Sequence, residues 1–190
     1  MNPRLVEGDL VIERLKPEHK RLLEAFSCEV EDENRFLRED ALPNQALRIN
    51  ETYLLFEKGG LRRITSYITF AIGSFELSRE RELYGVKIRD KPYRLPRNLP
   101  CMLIGHLATD HGAENRGGAT YLLKFALSEA LAKSSLVPFP FLVLHSYPAK
   151  VPFYEKKGFE KAFTPQRGKP KTICMYTKLF DFPAALRLIA

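Results

Sequence analysis

The chain has 190 residues, of which 45% are apolar and 28% charged, a balance typical of a soluble globular protein with room for one packed core. No apolar run approaches the roughly 20 residues of a membrane helix, and the N-terminus lacks the apolar stretch of a secretory signal, so we expect a cytoplasmic protein without a membrane segment. The net charge of +7 favours anionic partners, among which those that carry phosphate are the commonest.

The cysteines limit the redox and metal chemistry. There are three, Cys28, Cys101 and Cys174, far apart in sequence and without a CxxC pair. An odd number at such spacing fits neither a disulfide framework nor a zinc site. We therefore expect buried thiols and no bound metal.

Two helices are predicted near the N-terminus. Residues 17–26 and 32–47 each carry apolar side chains at helical spacing, and Pro17 suits a first helical turn. Pro43 should bend or end the second helix.

A hairpin and a connector are predicted next. Residues 52–56 and 63–70 have the composition of strands, and the turn signal at 58–60 joins them as an antiparallel hairpin. We expect a short helix at 77–84. The remaining residues up to Pro100 contain three prolines and predict an irregular connector.

The second half of the chain alternates strands and helices. Its predicted elements are a strand at 102–109, a polar loop with glycines at 110–118, a helix at 119–133, a strand at 139–145, a short helix at 152–157 stopped by Gly158, and a strand at 172–179. Antiparallel strands therefore precede a βαβ unit in a single α/β domain.

The glycine loop is a candidate phosphate site. The first N–H groups of a helix have no intrahelical partner, and the helix dipole is positive at that end. Glycines allow a phosphate to approach the backbone, and Arg116 would add a cationic contact. The alternative is a loop that merely turns the chain.

Two motifs resemble those of the GNAT superfamily of N-acetyltransferases. The segment Glu-Asn-Arg-Gly-Gly-Ala at 114–119 is similar to the family's pyrophosphate loop, Gln/Arg-x-x-Gly-x-Gly/Ala. The segment Pro-Phe-Tyr-Glu-Lys-Lys-Gly-Phe at 152–159 is similar to the family's Phe-Tyr-Glu-Lys-x-Gly-Phe. The resemblance implies an α/β GNAT fold over residues 1–190, with a mixed central sheet, antiparallel N-terminal strands and a βαβ unit that binds acetyl-CoA.

The resemblance also implies a mechanism in which an amine attacks acetyl-CoA, the co-substrate, directly. Backbone N–H groups of Leu107, Ala108 and Thr109 would bind the thioester and stabilise its oxyanion. Tyr154 would protonate the departing sulfur; the alternative is a core aromatic residue. The residues expected to hold the pyrophosphate are Glu114, Asn115, Arg116, Gly117, Gly118, Ala119 and Thr120.

The general base is not defined by the motifs. His145 at a strand end and His106 on the preceding strand are candidates, although either imidazole also fits a structural role. An α-amine, with a pKa of about 8, is partly neutral at pH 7 without a base, whereas a lysine amine is not.

The acceptor and the partners remain open between several hypotheses. The segments Phe-Ser-Cys at 26–28 and Phe-Leu-Arg at 36–38 resemble a GNAT branch that includes toxins acetylating aminoacyl-tRNA, which implies a tRNA substrate and an antitoxin or homodimer partner. A small-molecule or protein amine is the other acceptor. Three departures from the family pattern, Glu114, Tyr147 and Lys150, motivate a rival hypothesis, a catalytically silent GNAT-like binding module.

Overall fold

The computed structural model of the protein describes residues 5–59, 62–77, 87–88, 91–92, 96–162 and 171–179. The chain divides into two compact units, one formed by residues 1–71 and 104–128 and the other by residues 72–103 and 129–190. The expectation of a single domain stays a prediction. Within the described ranges, every helix is too short or too polar to cross a membrane.

Most of the strands belong to one mixed sheet. Its seven strands are β1 (Leu10–Arg14), β2 (Glu51–Glu57), β3 (Ile64–Glu76), β6 (Asn98–Thr109), β7 (Phe141–Ser146), β8 (Glu160–Lys161) and β9 (Ile173–Lys178). They are hydrogen-bonded in the order β1-β2-β3-β6-β7-β9-β8, and two further strands, β4 (Lys87–Ile88) and β5 (Lys91–Pro92), pair separately. The long strands β3 and β6 each contribute residues to both units.

The first unit contains the antiparallel strands β1, β2 and β3 and the N-terminal helices. These helices are α1 (Lys20–Glu24), α2 (Glu31–Arg35), a π-helical stretch (Phe36–Asp40) and α3 (Ala41–Ala46). Their apolar side chains pack with those of β2 and β3, so the helical spacing in the sequence corresponds to a buried face. The core cluster consists of Leu15, Leu23, Phe26, Cys28, Phe36, Leu37, Ala41, Leu54, Phe56, Ile64, Tyr67 and Ala108.

The second unit has its own core. Helix α4 (Gly118–Ser134), whose residues up to Ser128 belong to the first unit, connects β6 to β7, its neighbour in the sheet, and α5 (Val151–Glu155) follows β7. Strand β9 is antiparallel to both β7 and β8. The buried residues that pack together are Phe75, Leu77, Cys101, Phe141, Val143, Cys174 and Tyr176.

Most predicted elements are confirmed, with small differences in their bounds. The hairpin, the βαβ unit and the mixed sheet with antiparallel N-terminal strands are present. Gly158, with a φ of 86°, follows the end of α5 as predicted, and the Phe159 N–H donates to the Tyr154 carbonyl at 3.1 Å. The cysteines are buried thiols.

Several predictions differ from the structure. Pro43 does not end the second helical segment, which continues through α3, and the π-helical stretch Phe36–Asp40 directly before α3 interrupts the regular α-helical hydrogen bonding; the predicted bend stays a prediction. The predicted irregular connector is wrong where β4 pairs with β5 and where β6 begins at Asn98. Pro100 is accommodated near the start of β6, a position open to proline in strands. The predicted helix at 77–84 lies outside the described residues except for Leu77.

Candidate active site

Asp110 fixes the junction between β6 and the glycine loop. Its carboxylate is buried and accepts hydrogen bonds from the Gly112 N–H at 2.9 Å and the Ser27 N–H at 3.1 Å. The Arg63 guanidinium donates to the same carboxylate at 2.8 Å. The Asp110 N–H in turn donates to the Thr65 carbonyl at 2.9 Å. The strand end is therefore tied to β3 and to the segment after α1, and the loop leaves it in a defined direction.

Glycines shape the loop where it enters α4. Asn115 and Gly117 have φ values of 60° and 99°, in the left-handed region that Gly117 adopts without strain. At Gly118, a Cβ would lie 2.5 Å from Ser66 Oγ, so a larger residue does not fit without displacing β3 or the loop. The Gly117 carbonyl accepts the first helical hydrogen bond, from the Tyr121 N–H at 3.0 Å.

This geometry fits a phosphate group. The N–H groups of Gly118, Ala119 and Thr120 lie in the first turn of α4, where a helix offers no intrahelical acceptor. The positive end of the dipole of a 17-residue helix lies at the same place. We call the segment at 114–120 the cradle, and its predicted role in holding a pyrophosphate stays a prediction.

The charged side chains of the loop have protein partners. Glu114 Oε1 lies 2.9 Å from His111 Nδ1, and the Arg116 guanidinium donates to Glu57 at 2.8 Å with only 15% of its side chain exposed. The predicted role of Arg116 as a phosphate contact stays a prediction, and its structural role is to hold the loop against β2. Beside it opens a cleft of about 460 Å³, lined by Glu57, Lys58, Gly59, Arg63, Ile64, Thr65, Asp110, Gly112, Ala113 and Arg116.

The end of β6 presents alternate side chains to its two faces. Ala108 is buried in the core of the first unit, whereas Thr109 Oγ1 lies 3.0 Å from Ser66 Oγ. Leu107 is partly exposed. The side chains thus anchor this strand end, and the predicted role of the three N–H groups in binding the thioester stays a prediction.

The predicted catalytic residues lie in the second unit. His145 is exposed on β7 and is paired in register with Cys174 of β9. Tyr154 is half-buried on α5, with its ring 5.1 Å from the Phe153 ring and 5.9 Å from the Phe159 ring. This packing fixes the direction of the Tyr154 side chain; its role as an acid stays a prediction.

One cluster in the first unit was only partly found from the sequence. His106 was a candidate, but its partners Glu33 and Tyr67 were not. Glu33 Oε2 accepts from the Tyr67 hydroxyl at 2.6 Å and lies 2.9 Å from His106 Nδ1. Burial, together with the charge of Glu33, raises the pKa of Tyr67 far above its usual range. Tyr67 therefore keeps its proton and donates a hydrogen bond to Glu33, whose backbone carbonyl also lies 2.9 Å from the hydroxyl.

Comparisons with known proteins give a likeness of fold. No protein-family model matches the chain, and no curated protein is significantly similar to it in sequence. Nearly the whole chain resembles solved structures, among them a bacterial toxin and the toxin AtaT.

Three structures illustrate the resemblance. The toxin AtaT, as a tyrosine-to-phenylalanine variant bound to acetyl-CoA and the C-terminus of its antitoxin AtaR, is 21% identical over 95% of this chain and 98% of its own, with a TM-score of 0.67. AtaT in complex with acetyl-methionyl-tRNAfMet is 23% identical over 95% and 99%, with a TM-score of 0.69. A tyrosine-to-phenylalanine variant of KacT is 19% identical over 96% and 99%, with a TM-score of 0.70. The expected GNAT fold is thereby confirmed.

Proposed function

We propose that this protein is an acetyl-CoA-dependent N-acetyltransferase whose acceptor is the α-amine of an aminoacyl-tRNA. The observation that carries the proposal is the cradle at 114–120, where a strand tied down by Asp110 turns through Gly117 and Gly118 into the N-terminus of α4. The fold supports the donor, because AtaT has been solved with acetyl-CoA bound.

Two sets of backbone N–H groups bind different parts of the donor. The N–H groups of Gly118, Ala119 and Thr120 hold the pyrophosphate, and those of Leu107, Ala108 and Thr109 hold the thioester and its developing oxyanion. Acetyl-CoA supplies the activated acetyl group. Tyr154 delivers a proton to the leaving sulfur. His145, on β7, is one candidate for the base that accepts the proton of the acceptor amine.

Charge and pKa favour an aminoacyl-tRNA over a lysine acceptor. The net charge of +7 attracts a polyanion, and AtaT has been solved with an acetylated methionyl-tRNA. An α-amine has a pKa of about 8, so a larger fraction is neutral at pH 7 than for a lysine amine at about 10.4. We extend the proposal to a cytoplasmic location and to an antitoxin or second copy as partner, as AtaT has AtaR.

The test is transfer of radiolabelled acetyl from acetyl-CoA to charged tRNA, with uncharged tRNA, a lysine peptide and spermidine in parallel reactions. We expect label only in charged tRNA, released with the amino acid on mild alkaline treatment. A Tyr154→Phe variant should lose at least about tenfold in rate, because the sulfur then leaves without its acid. If only the peptide or spermidine is labelled, the acceptor is a protein amine or a small-molecule amine and the tRNA hypothesis is rejected. No label in any acceptor would favour the silent binding module that Glu114, Tyr147 and Lys150 suggest.

A further inference from the structure

The cluster of Glu33, His106 and Tyr67 joins three elements of the first unit. Glu33 lies on α2, Tyr67 on β3 and His106 on β6. The His106 ring also stacks on Phe36, with the ring centroids 3.5 Å apart and the planes inclined by 11°. The Glu33 carboxylate, itself bonded by the Tyr67 hydroxyl, and the Phe36 ring therefore fix the orientation of the imidazole.

The hydrogen bonds indicate which of the two nitrogens carries the proton in the neutral imidazole. Tyr67 is fully buried and donates to Glu33, so Glu33 acts as the acceptor of the cluster. His106 Nδ1, at 2.9 Å from the same carboxylate oxygen, then carries the ring proton. The lone pair is left on Nε2, the tautomer in which a histidine held by a carboxylate acts as a base.

The position of His106 suits proton transfer. Its side chain is 28% exposed, in contrast to the fully buried Tyr67. It immediately precedes Leu107, so its Cα lies about 3.8 Å from the first of the three residues proposed to hold the thioester. Alternation along β6 places His106 on the face of Ala108, which packs in the same core as Phe36.

His19 provides a contrast within the same unit. Its imidazole also has a carboxylate partner, Glu13 at 3.2 Å, and a ring neighbour, Phe56 at 5.8 Å. However, only 2% of His19 is exposed, so the ring is closed off from a substrate. Access, rather than the pairing alone, distinguishes His106.

We propose that His106 is the general base for the acceptor amine, with Glu33 and Tyr67 as positioning residues, an inference that rests on the proposed acetyl transfer. Nε2 removes one proton from the ammonium group and later releases it to water. The neutral nitrogen forms a bond to the acetyl carbon, the bond from that carbon to sulfur breaks, and the sulfur leaves with the electron pair. The second proton lost by nitrogen balances the one taken up by the thiolate, giving an amide, a CoA thiol and one proton in solution.

The first test uses the protein without any ligand. Nitrogen NMR of the histidine rings should show the proton of neutral His106 on Nδ1. In Glu33→Gln part of the proton population should move to Nε2, because an amide can donate to Nδ1 whereas a carboxylate only accepts. Among the described residues, the titratable group bonded to the ring is Glu33, which the Tyr67 hydroxyl contacts in turn, with Cys28 acting on Tyr67 from further away. A proton on Nε2 in the wild type, or the same tautomer ratio in Glu33→Gln, would overturn the assignment.

The second test is the pH dependence of kcat/KM. In the wild type kcat/KM should rise with pH along one limb of the profile, since only the neutral ring accepts a proton from the amine. His106→Gln should lose up to about tenfold at pH 7, where an α-amine with a pKa of about 8 is only about one-tenth neutral, and should recover towards pH 9. His19→Gln is the matched control. Thermal melting of both variants distinguishes a loss of the catalytic base from unfolding of the protein. The pH limb should persist in His19→Gln.

The possible outcomes separate the two proposals. Acetyl transfer by the wild type with an unchanged limb in folded His106→Gln rejects the base and leaves the function standing. Absence of transfer by the wild type to every acceptor overturns both. A limb that in His106→Gln moves to the pH at which the amine itself deprotonates, with rescue by added imidazole in a His106→Ala variant, supports the base.

Discussion

At the scale of single residues, Asp110 concentrates the hydrogen bonds that connect the strand to the loop. Its buried carboxylate accepts from two backbone N–H groups and from Arg63. Asp110→Ala would leave buried donors unsatisfied and should lower the free energy of unfolding by about 2 kcal/mol. Chemical denaturation measures the loss. Glu76→Ala, which removes one partner of the exposed pair with Arg97, is the control and should cost less than about 0.5 kcal/mol. Equal losses in the two variants would contradict a special role for Asp110.

Gly118 is required by packing rather than by its backbone dihedral angles. A Cβ there would lie 2.5 Å from Ser66 Oγ and 3.5 Å from Leu55 Cδ2. Gly118→Ala should therefore destabilise the fold by about 1–3 kcal/mol, the usual cost of overpacking. In a Ser66→Ala background the cost should be smaller, because the clashing oxygen is gone. Gly8→Ala, where no atom lies within 4 Å of the added Cβ, is the control for the same substitution. An equal cost with and without Ser66 Oγ would count against the clash.

The residues that the sequence did not reveal are joined by contacts between distant positions. His106 and Glu33 are 73 residues apart, Tyr67 and Glu33 are 34 apart, and Arg63 and Asp110 are 47 apart. Local motifs indicated the glycine loop and Tyr154, because those motifs lie on one continuous segment. No periodicity in one sequence pairs residues across three elements, so these clusters required the fold.

At the scale of elements, the loop before α4 contains an acidic residue, Glu114, at the predicted phosphate site. Glu114 is paired with His111 and precedes the N-terminus of α4 by four residues. Its negative charge would therefore repel an anion bound at the positive end of the helix dipole. Glu114→Gln should tighten acetyl-CoA binding about two- to fivefold at low salt, with less effect at high salt.

Calorimetry at two salt concentrations checks this effect of Glu114. Glu129→Gln is the matched control, because it removes an acid paired with Lys133 in the C-terminal half of the same helix. Its affinity for acetyl-CoA should equal that of the wild type. Weaker binding by Glu114→Gln would mean that the Glu114–His111 pair organises the loop instead of opposing the ligand.

The predicted elements that proved correct are those with a strong local pattern. Helix α4 carries apolar residues at helical spacing, of which Leu122, Leu123, Ala126 and Ala130 are buried, and Gly59, with a φ of 81°, lies in the turn between the apolar strands β2 and β3. Strand β1 was missed because its five residues alternate weakly and gain their order from pairing with β2. The two-residue strand β8 likewise depends on β9. Short strands of this kind are stabilised by their neighbours and leave little signal in the sequence.

At the scale of the whole molecule, the three thiols report on global unfolding. All are buried, and burial raises the pKa of the Cys28 thiol and raises that of Cys101 to about 11. A raised pKa leaves less thiolate at pH 8, so a disulfide reagent should react slowly with the native protein. In guanidinium the same reagent should react with all three thiols of each chain. Rapid reaction of one thiol without denaturant would show that the region around it opens locally.

The net charge sets an expectation for tRNA. With a charge of +7, binding to charged tRNA should weaken steeply as salt rises from 50 to 200 mM, because the phosphate contacts release counterions. Filter binding against salt concentration measures the slope. The affinity for a neutral peptide amine should change little over the same range. A salt-independent affinity for tRNA would argue against a tRNA acceptor.

Binding of acetyl-CoA to the purified protein tests the proposed function most directly. In a calorimetric titration, with CoA alongside, we expect one site per chain with micromolar affinity for acetyl-CoA. Gly118→Ala should weaken this affinity, because the cradle at 114–120 can then no longer pack against Ser66. An absence of heat at millimolar acetyl-CoA from a folded protein would contradict the acetyltransferase and leave a GNAT fold with another use.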